Sequence, residues 1–129
     1  MSRHNADLHA RAVSIAVTLF PGTTIERTKA GLLVDGQMVL VRATVQRMRN
    51  YARRSAAGQR YTYTYPVLRW NMHMKGLPVT TPWRWVLVAQ HGTHMRTWVV
   101  PGPALRGLTH TVHIKHTRPA RMDSWEVTP

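Results

Sequence analysis

The sequence predicts an α+β fold, with α/β-type layering: an N-terminal helix packed on a mixed, hairpin-rich sheet. Three observations carry that expectation. One amphipathic stretch lies near the N-terminus. The dipeptide Asp35-Gly36 separates two apolar, β-branched runs. Further downstream, strand-length segments alternate or run apolar between prolines and glycines. A chain of 129 residues is close to the commonest domain size, so residues 1–129 are expected to form a single domain. An apolar fraction of 43% is too high for a disordered tail.

The helix is expected over residues 3–19. Leu8, Ala12, Ile15, Ala16 and Leu19 follow the spacing of one buried stripe. Ser2 is a capping residue at its start, and Pro21-Gly22 stops it. Residues 23–28 read as a short strand. Gly31–Val34 and Met38–Val45 read as the arms of a hairpin, because Asp-Gly supplies two residues that tolerate positive φ. Tyr61, Tyr63 and Tyr65 alternate with Thr62 and Thr64, the period of a strand, with Pro66 confining it to an edge or a strand end. The three tyrosines form a stripe that could pack under the helix or stand as an exposed stacking face, and packing is the expectation. Residues 83–89 and 97–100 read as two more strands joined through a turn at His91–His94. In the first, Trp83 and Trp85 would share one face and Val86 and Val88 the other, as in a central strand. Residues 111–114 suggest a last short strand, and a second short helix is expected in 102–108 or 118–124. The whole reads as one sheet of five to seven strands.

Charge decides the class of partner. There are 18 basic residues, 15 Arg and 3 Lys, against 5 acidic ones, for a net charge of +13. Such a field attracts polyanions. The acids are Asp7, Glu26, Asp35, Asp123 and Glu126, too few for a calcium site or an acid-lined metal cluster. Cysteine is absent, which excludes disulfides, zinc-thiolate sites, iron–sulfur clusters and thiol catalysis. Nucleic acid is the first candidate and an anionic membrane surface the second; no apolar run reaches the length of a membrane span, so nothing is expected to cross a bilayer, and no membrane partner is expected. The first 20 residues do not read as a secretory signal, interrupted as they are by His4, Asp7 and His9. A cytoplasmic protein of a prokaryote, phage or mobile element is the expectation.

Residues 46–60 break the apolar rhythm. They carry Arg47, Arg49, Arg53, Arg54 and Arg60 with no acid, and read as an exposed, partly mobile loop. Five arginines near Tyr51 and Tyr61 can contact phosphates and stack on bases.

Residues 30–44, AGLLVDGQMVLVRAT, resemble the active-site hairpin of the PD-(D/E)XK nuclease superfamily. The resemblance extends in pattern through Trp70-Asn71-Met72-His73, Trp85-Val86-Leu87-Val88 and Thr97-Trp98-Val99-Val100-Pro101, over roughly residues 5–116. It implies a restriction-endonuclease-like fold. In that family two carboxylates hold a divalent cation and a lysine serves the attacking water. Aligned on the turn, the Asp position falls on Gly31, the Glu position on Leu40 and the Lys position on Arg42. Both metal-holding carboxylates are missing. The resemblance therefore implies a pseudo-nuclease with no catalytic residues, no metal and no cofactor. It would bind nucleic acid, DNA in preference to RNA, through Arg42, Arg47, Arg49, Arg53, Arg54 and Arg60.

The role expected is a non-catalytic subunit or accessory factor, in a larger protein complex or a homodimer. Two alternatives stay open. One is a ribosomal-type structural RNA-binding protein. The other is an active metal-dependent endonuclease using Mg²⁺ and a migrated ligand such as Glu26. His110, His113 and His116 do not share one strand face, which makes a three-histidine zinc site awkward.

Overall fold

The computed structural model describes residues 3–72, 81–105, 111–115 and 124–129. Helix α1 spans Arg3–Thr18. The strands are β1 (Ile25–Arg27), β2 (Gly31–Val34), β3 (Gln37–Val45), β4 (Arg47–Arg54), β5 (Arg60–Asn71), β6 (Arg84–His91), β7 (His94–Pro101), β8 (Thr111–Lys115) and β9 (Glu126–Val127), with a 3₁₀ turn η1 (Gly102–Leu105) after β7. The α+β class is as the sequence predicts.

Instead of one sheet there are two. The larger has the order β1-β2-β3-β6-β7-β9, the smaller β4-β5-β8. All neighbours are antiparallel except β3 and β6. A parallel pair needs a long crossover, commonly a helix. Here β4 and β5 lie in that crossover, so the second sheet grows out of the connection inside the first.

The larger sheet is covered on both faces. On one face Ala12, Val13 and Ala16 of α1 pack with Leu32, Val34, Val39, Val41, Val86 and Val88. On the other, Leu68, Trp70 and Met72 from β5 and its end pack with Leu40, Trp85, Leu87, Trp98, Val100 and Leu105. Period-two alternation along β3 and β6 sends successive side chains to these two clusters, which is why both strands read as continuous apolar runs. Trp70 and Trp98 meet edge to face at 5.2 Å, and the Trp70 indole N–H donates to the Val88 carbonyl at 2.9 Å.

The turns follow local chemistry. Asp35 and Gly36 have φ of 49° and 82°, the two left-handed residues that this hairpin requires. The Asp35 carboxylate accepts from the Thr24 N–H at 2.8 Å and its own N–H donates to the Thr24 carbonyl at 2.8 Å, which pins β1 to the hairpin. Gly92 at φ 59° turns β6 into β7 between His91 and His94. After Thr18, α1 unwinds through bonds from the Leu19 and Phe20 N–H groups to the Ala16 and Val17 carbonyls.

Several expectations are corrected. Trp83 and Trp85 do not share a face. Trp83 lies just before β6, where strand alternation does not apply, and packs on the helix-side cluster beside Phe20 at 5.9 Å. Trp85 belongs to the opposite cluster. Pro66 does not end its strand, since β5 runs on to Asn71. It sits next to Val67, where the described pairing of β5 with β8 ends. Residues 102–105 form a 3₁₀ turn rather than a longer helix, and residues 106–110 and 118–123 lie outside the described residues, as do Ser2, His110 and His116.

Candidate nucleic-acid interface

Residues 46–60 are not one loop: Arg47–Arg54 is strand β4, Arg60 opens β5, and residues 55–59 form the turn between them. β4 continues β3 past Gln46, whose N–H donates to the Gln90 carbonyl at 2.8 Å, and then pairs with β5 in an unbroken register from Arg47↔Val67 to Arg54↔Arg60. The seven steps of that register make an arm about 23 Å long at roughly 3.3 Å per residue. Its turn is built by Ser55 and Gly58. The Gly58 N–H donates to the Ser55 carbonyl at 2.9 Å, the Ser55 N–H donates to the Gln59 carbonyl at 2.8 Å, and Gly58 takes φ 82°. The expectation of exposure holds: among the described side chains of residues 47–64 none is buried. The sequence signal that was passed over is Gly58, set between two segments of period two.

Pairing sorts the side chains. Cross-strand partners lie on the same face of a ribbon, and alternate residues share it. Arg47, Arg49 and Arg53 therefore share a face with Tyr61 and Tyr63, with Arg53 directly opposite Tyr61. The register also sets Tyr51 opposite Tyr63 and Arg49 opposite Tyr65. On the other face Arg54 stands opposite Arg60, and the Thr64 hydroxyl donates to Asn50 Oδ1 at 2.6 Å.

Tyr61 and Tyr63 do not pack under the helix, and the side chain of Tyr65 lies outside the described residues. Tyr61 is 47% exposed, and its ring lies 6.2 Å from that of Tyr63 at a tilt of 33°. Arg69, which sequence reasoning missed, is exposed on β5 on the same alternation, opposite His113 of β8. Extending the Tyr period by two more steps would have found it.

The five arginines of the arm have no carboxylate partner among the described residues. Between Asp35 and Asp123 the sequence has no acidic residue. Among the described residues the ion pair found is Arg96 with Glu126, a two-bond contact at 2.8 Å and 2.8 Å in the body of the protein. That contact, chiefly its hydrogen bond, lowers the Glu126 pKa. Directly opposed like charges such as Arg54 and Arg60 destabilise a ribbon.

Arg42 stands elsewhere. It is half-buried on β3, paired with Leu87, and its guanidinium donates to the Val41 carbonyl at 3.0 Å and the Ala30 carbonyl at 3.4 Å. It also lies 5.4 Å from the centre of the Trp85 ring. Burial lowers its pKa from the usual arginine value. His9 of α1 is half-buried and has its pKa lowered, first by burial and second by the charge on Arg42. The structure thus gathers Arg47, Arg49, Arg53, Arg54 and Arg60 on one arm and leaves Arg42 in the body.

The two positions that a nuclease hairpin would fill with carboxylates face each other as Gly31↔Leu40. Leu40 is fully buried in the tryptophan cluster. A Cβ on Gly31 would lie 2.1 Å from the Val39 carbonyl oxygen. Glu26 is exposed on β1, opposite Leu33. Among the described residues no three of His, Asp and Glu gather in an arrangement that could hold a metal ion. No helix among them is long and apolar enough to cross a membrane.

No family model, no curated protein and no solved structure matches the chain.

Proposed function

We propose that this protein binds nucleic acid through the β4–β5 arm and leaves it uncut, as a non-catalytic subunit or accessory factor on a degenerate restriction-endonuclease-like frame. One observation carries the reading. Five arginines stand exposed on a single ribbon, without a carboxylate partner among the described residues. Arginine is suited to phosphate because its fork of donors stays charged and binds oxygens in pairs. A hairpin with Gly31 and Leu40 at the metal-ligand positions gives a divalent cation nothing to bind.

The test is a binding titration of the full chain at several salt concentrations, with Mg²⁺ and Mn²⁺ arms that watch for cutting. Five phosphate contacts give a log–log salt slope of about −3.5 on single strands and about −4.5 on duplex DNA. Replacing Arg47, Arg49, Arg53, Arg54 and Arg60 by Gln should flatten that slope and leave the fold intact. Unchanged binding by the substituted protein would overturn the reading. So would metal-dependent cleavage that is abolished by substituting Leu40 or Arg42.

A further inference from the structure

We infer that the Arg–Tyr face of the arm takes unpaired nucleotides, with bases stacked on Tyr61 and Tyr63 and flanking phosphates held by Arg47, Arg49 and Arg53. This rests on the nucleic-acid reading and goes beyond it by naming the form of the ligand.

The arm has no core of its own, yet it displays aromatic surface. Among the described residues Tyr61 and Met48 are the two large apolar side chains left exposed, at 47% and 60%, and both belong to the arm. A tyrosine ring is amphipathic, and one standing open on a two-stranded ribbon has its face in water. Tyr61 and Tyr63 lie one rung apart on the same face, 6.2 Å between ring centres, with the Arg53 position directly across from Tyr61. Sites that bind single strands combine aromatic platforms with a cationic track in this way.

Duplex fits this face less well. In a duplex both faces of each base are already stacked, so a ring must act as a wedge and unstack a step at about a few kcal/mol. An unpaired base presents its face freely. The shared chemistry is an unstacked nucleobase joined to phosphates, which single-stranded DNA and single-stranded RNA both supply.

The experiment uses the full chain and three fluorescent probes of about 15 nucleotides, near the upper end of single-strand site sizes. They are oligodeoxyuridylate, oligouridylate and a mixed-sequence DNA duplex. Both single strands should bind more tightly than the duplex at equal salt, and whichever binds more tightly identifies the sugar of the natural ligand. Tyr61→Ala should weaken single-strand binding by about fivefold to 150-fold. It should leave the salt slope and the melting temperature unchanged, because it removes a ring and no charge. Tyr61→Phe should restore binding. Arg53→Gln should instead reduce the slope by about 0.7. Photocrosslinking with iodouracil-substituted strands should trap Tyr61 or Tyr63.

Duplex binding as tight as single-strand binding overturns the inference. So does wild-type affinity in Tyr61→Ala while the arginine variants lose theirs. Either result leaves the nucleic-acid reading standing. Failure of all three probes to bind at low salt overturns the reading itself.

Discussion

The two ends of β5 form a controlled contrast within one strand. From Leu68 onward its inward side chains Leu68 and Trp70, with Met72 just beyond its end, are buried against the larger sheet. From Arg60 to Thr64 no described side chain is buried. The same backbone ladder thus serves a packed body at one end and a solvated arm at the other. A lone two-stranded ribbon is marginal in water. This one is held because β4 continues β3 and β5 runs into the tryptophan cluster. Packing fixes the residues of the body, while the exposed arm is under no such constraint. Opposed arginines would be intolerable in the body, and they stand on the arm.

Replacing the anchor breaks the contrast most severely. Trp70→Ala empties a fully buried ring site and removes the hydrogen bond to the Val88 carbonyl. A loss of about 3–5 kcal/mol is expected by urea unfolding. Arg53→Ala, on the arm, should change stability by less than about 0.5 kcal/mol. Comparable losses from both would mean that the arm is packed rather than free.

Glycine substitutions sharpen the same comparison by two different mechanisms. Gly31→Ala drives a Cβ against the Val39 carbonyl between two paired strands, and a global loss of about 1–3 kcal/mol is expected. Gly58→Ala meets nothing within 4 Å, but φ 82° strains any residue with a side chain. Its strain of roughly 1–2 kcal/mol should loosen the arm. Hydrogen exchange should then quicken at the arm amides and stay unchanged in β6 and β7. An unfolding transition shifted as far by Gly58→Ala as by Gly31→Ala would contradict the independence of the arm.

The body was legible in the sequence because its signals are local and its packing is regular. Gly31–Val34 is found where the apolar run places it, and Asp35-Gly36 turns as its residue types require. Leu8, Ala12 and Ala16 are buried as their spacing predicts. The Tyr61–Tyr65 half of the arm was read as a strand from its Tyr/Thr alternation, but the β4 half was misread as a loop because Arg47–Arg54 is written mostly in Arg, Asn and Ala, with no apolar-against-polar alternation. Hydrophobic periodicity reports burial, and a ribbon with no buried face gives no such signal. The division into two sheets was also invisible. Nothing local distinguishes a strand that pairs within a sheet from one that leaves it inside a crossover. The candidate site was half legible: five arginines were named in the right segment, but their two faces and their register with the tyrosines needed the pairing.

The smallest effects expected are in the pH dependence of stability, and they arise in the body. Glu126 has its pKa lowered in the fold by the Arg96 hydrogen bond, so the folded chain binds its proton less readily than the unfolded chain. Its contribution is complete above the ordinary value of 4.5 and is lost as pH falls through the lowered one. The pair is partly exposed, at 43% and 33%, so about 0.2–1 kcal/mol is at stake. His9 acts in a higher window. Its folded pKa lies below the ordinary 6.5, so the unfolded chain takes up a proton first. Stability therefore declines as pH falls from 6.5 toward the lowered value. His9→Gln should flatten the decline just below neutrality, and Glu126→Gln the one below 4.5, in unfolding free energies measured across pH. Arg42→Gln should shrink the His9 step without abolishing it, because burial is the larger cause and the Arg42 charge the smaller. If Arg42→Gln erased the step, the charge on β3 rather than the packing of α1 would govern that histidine. Arg42 would then act on the helix as a charge, besides its contact with the Trp85 ring.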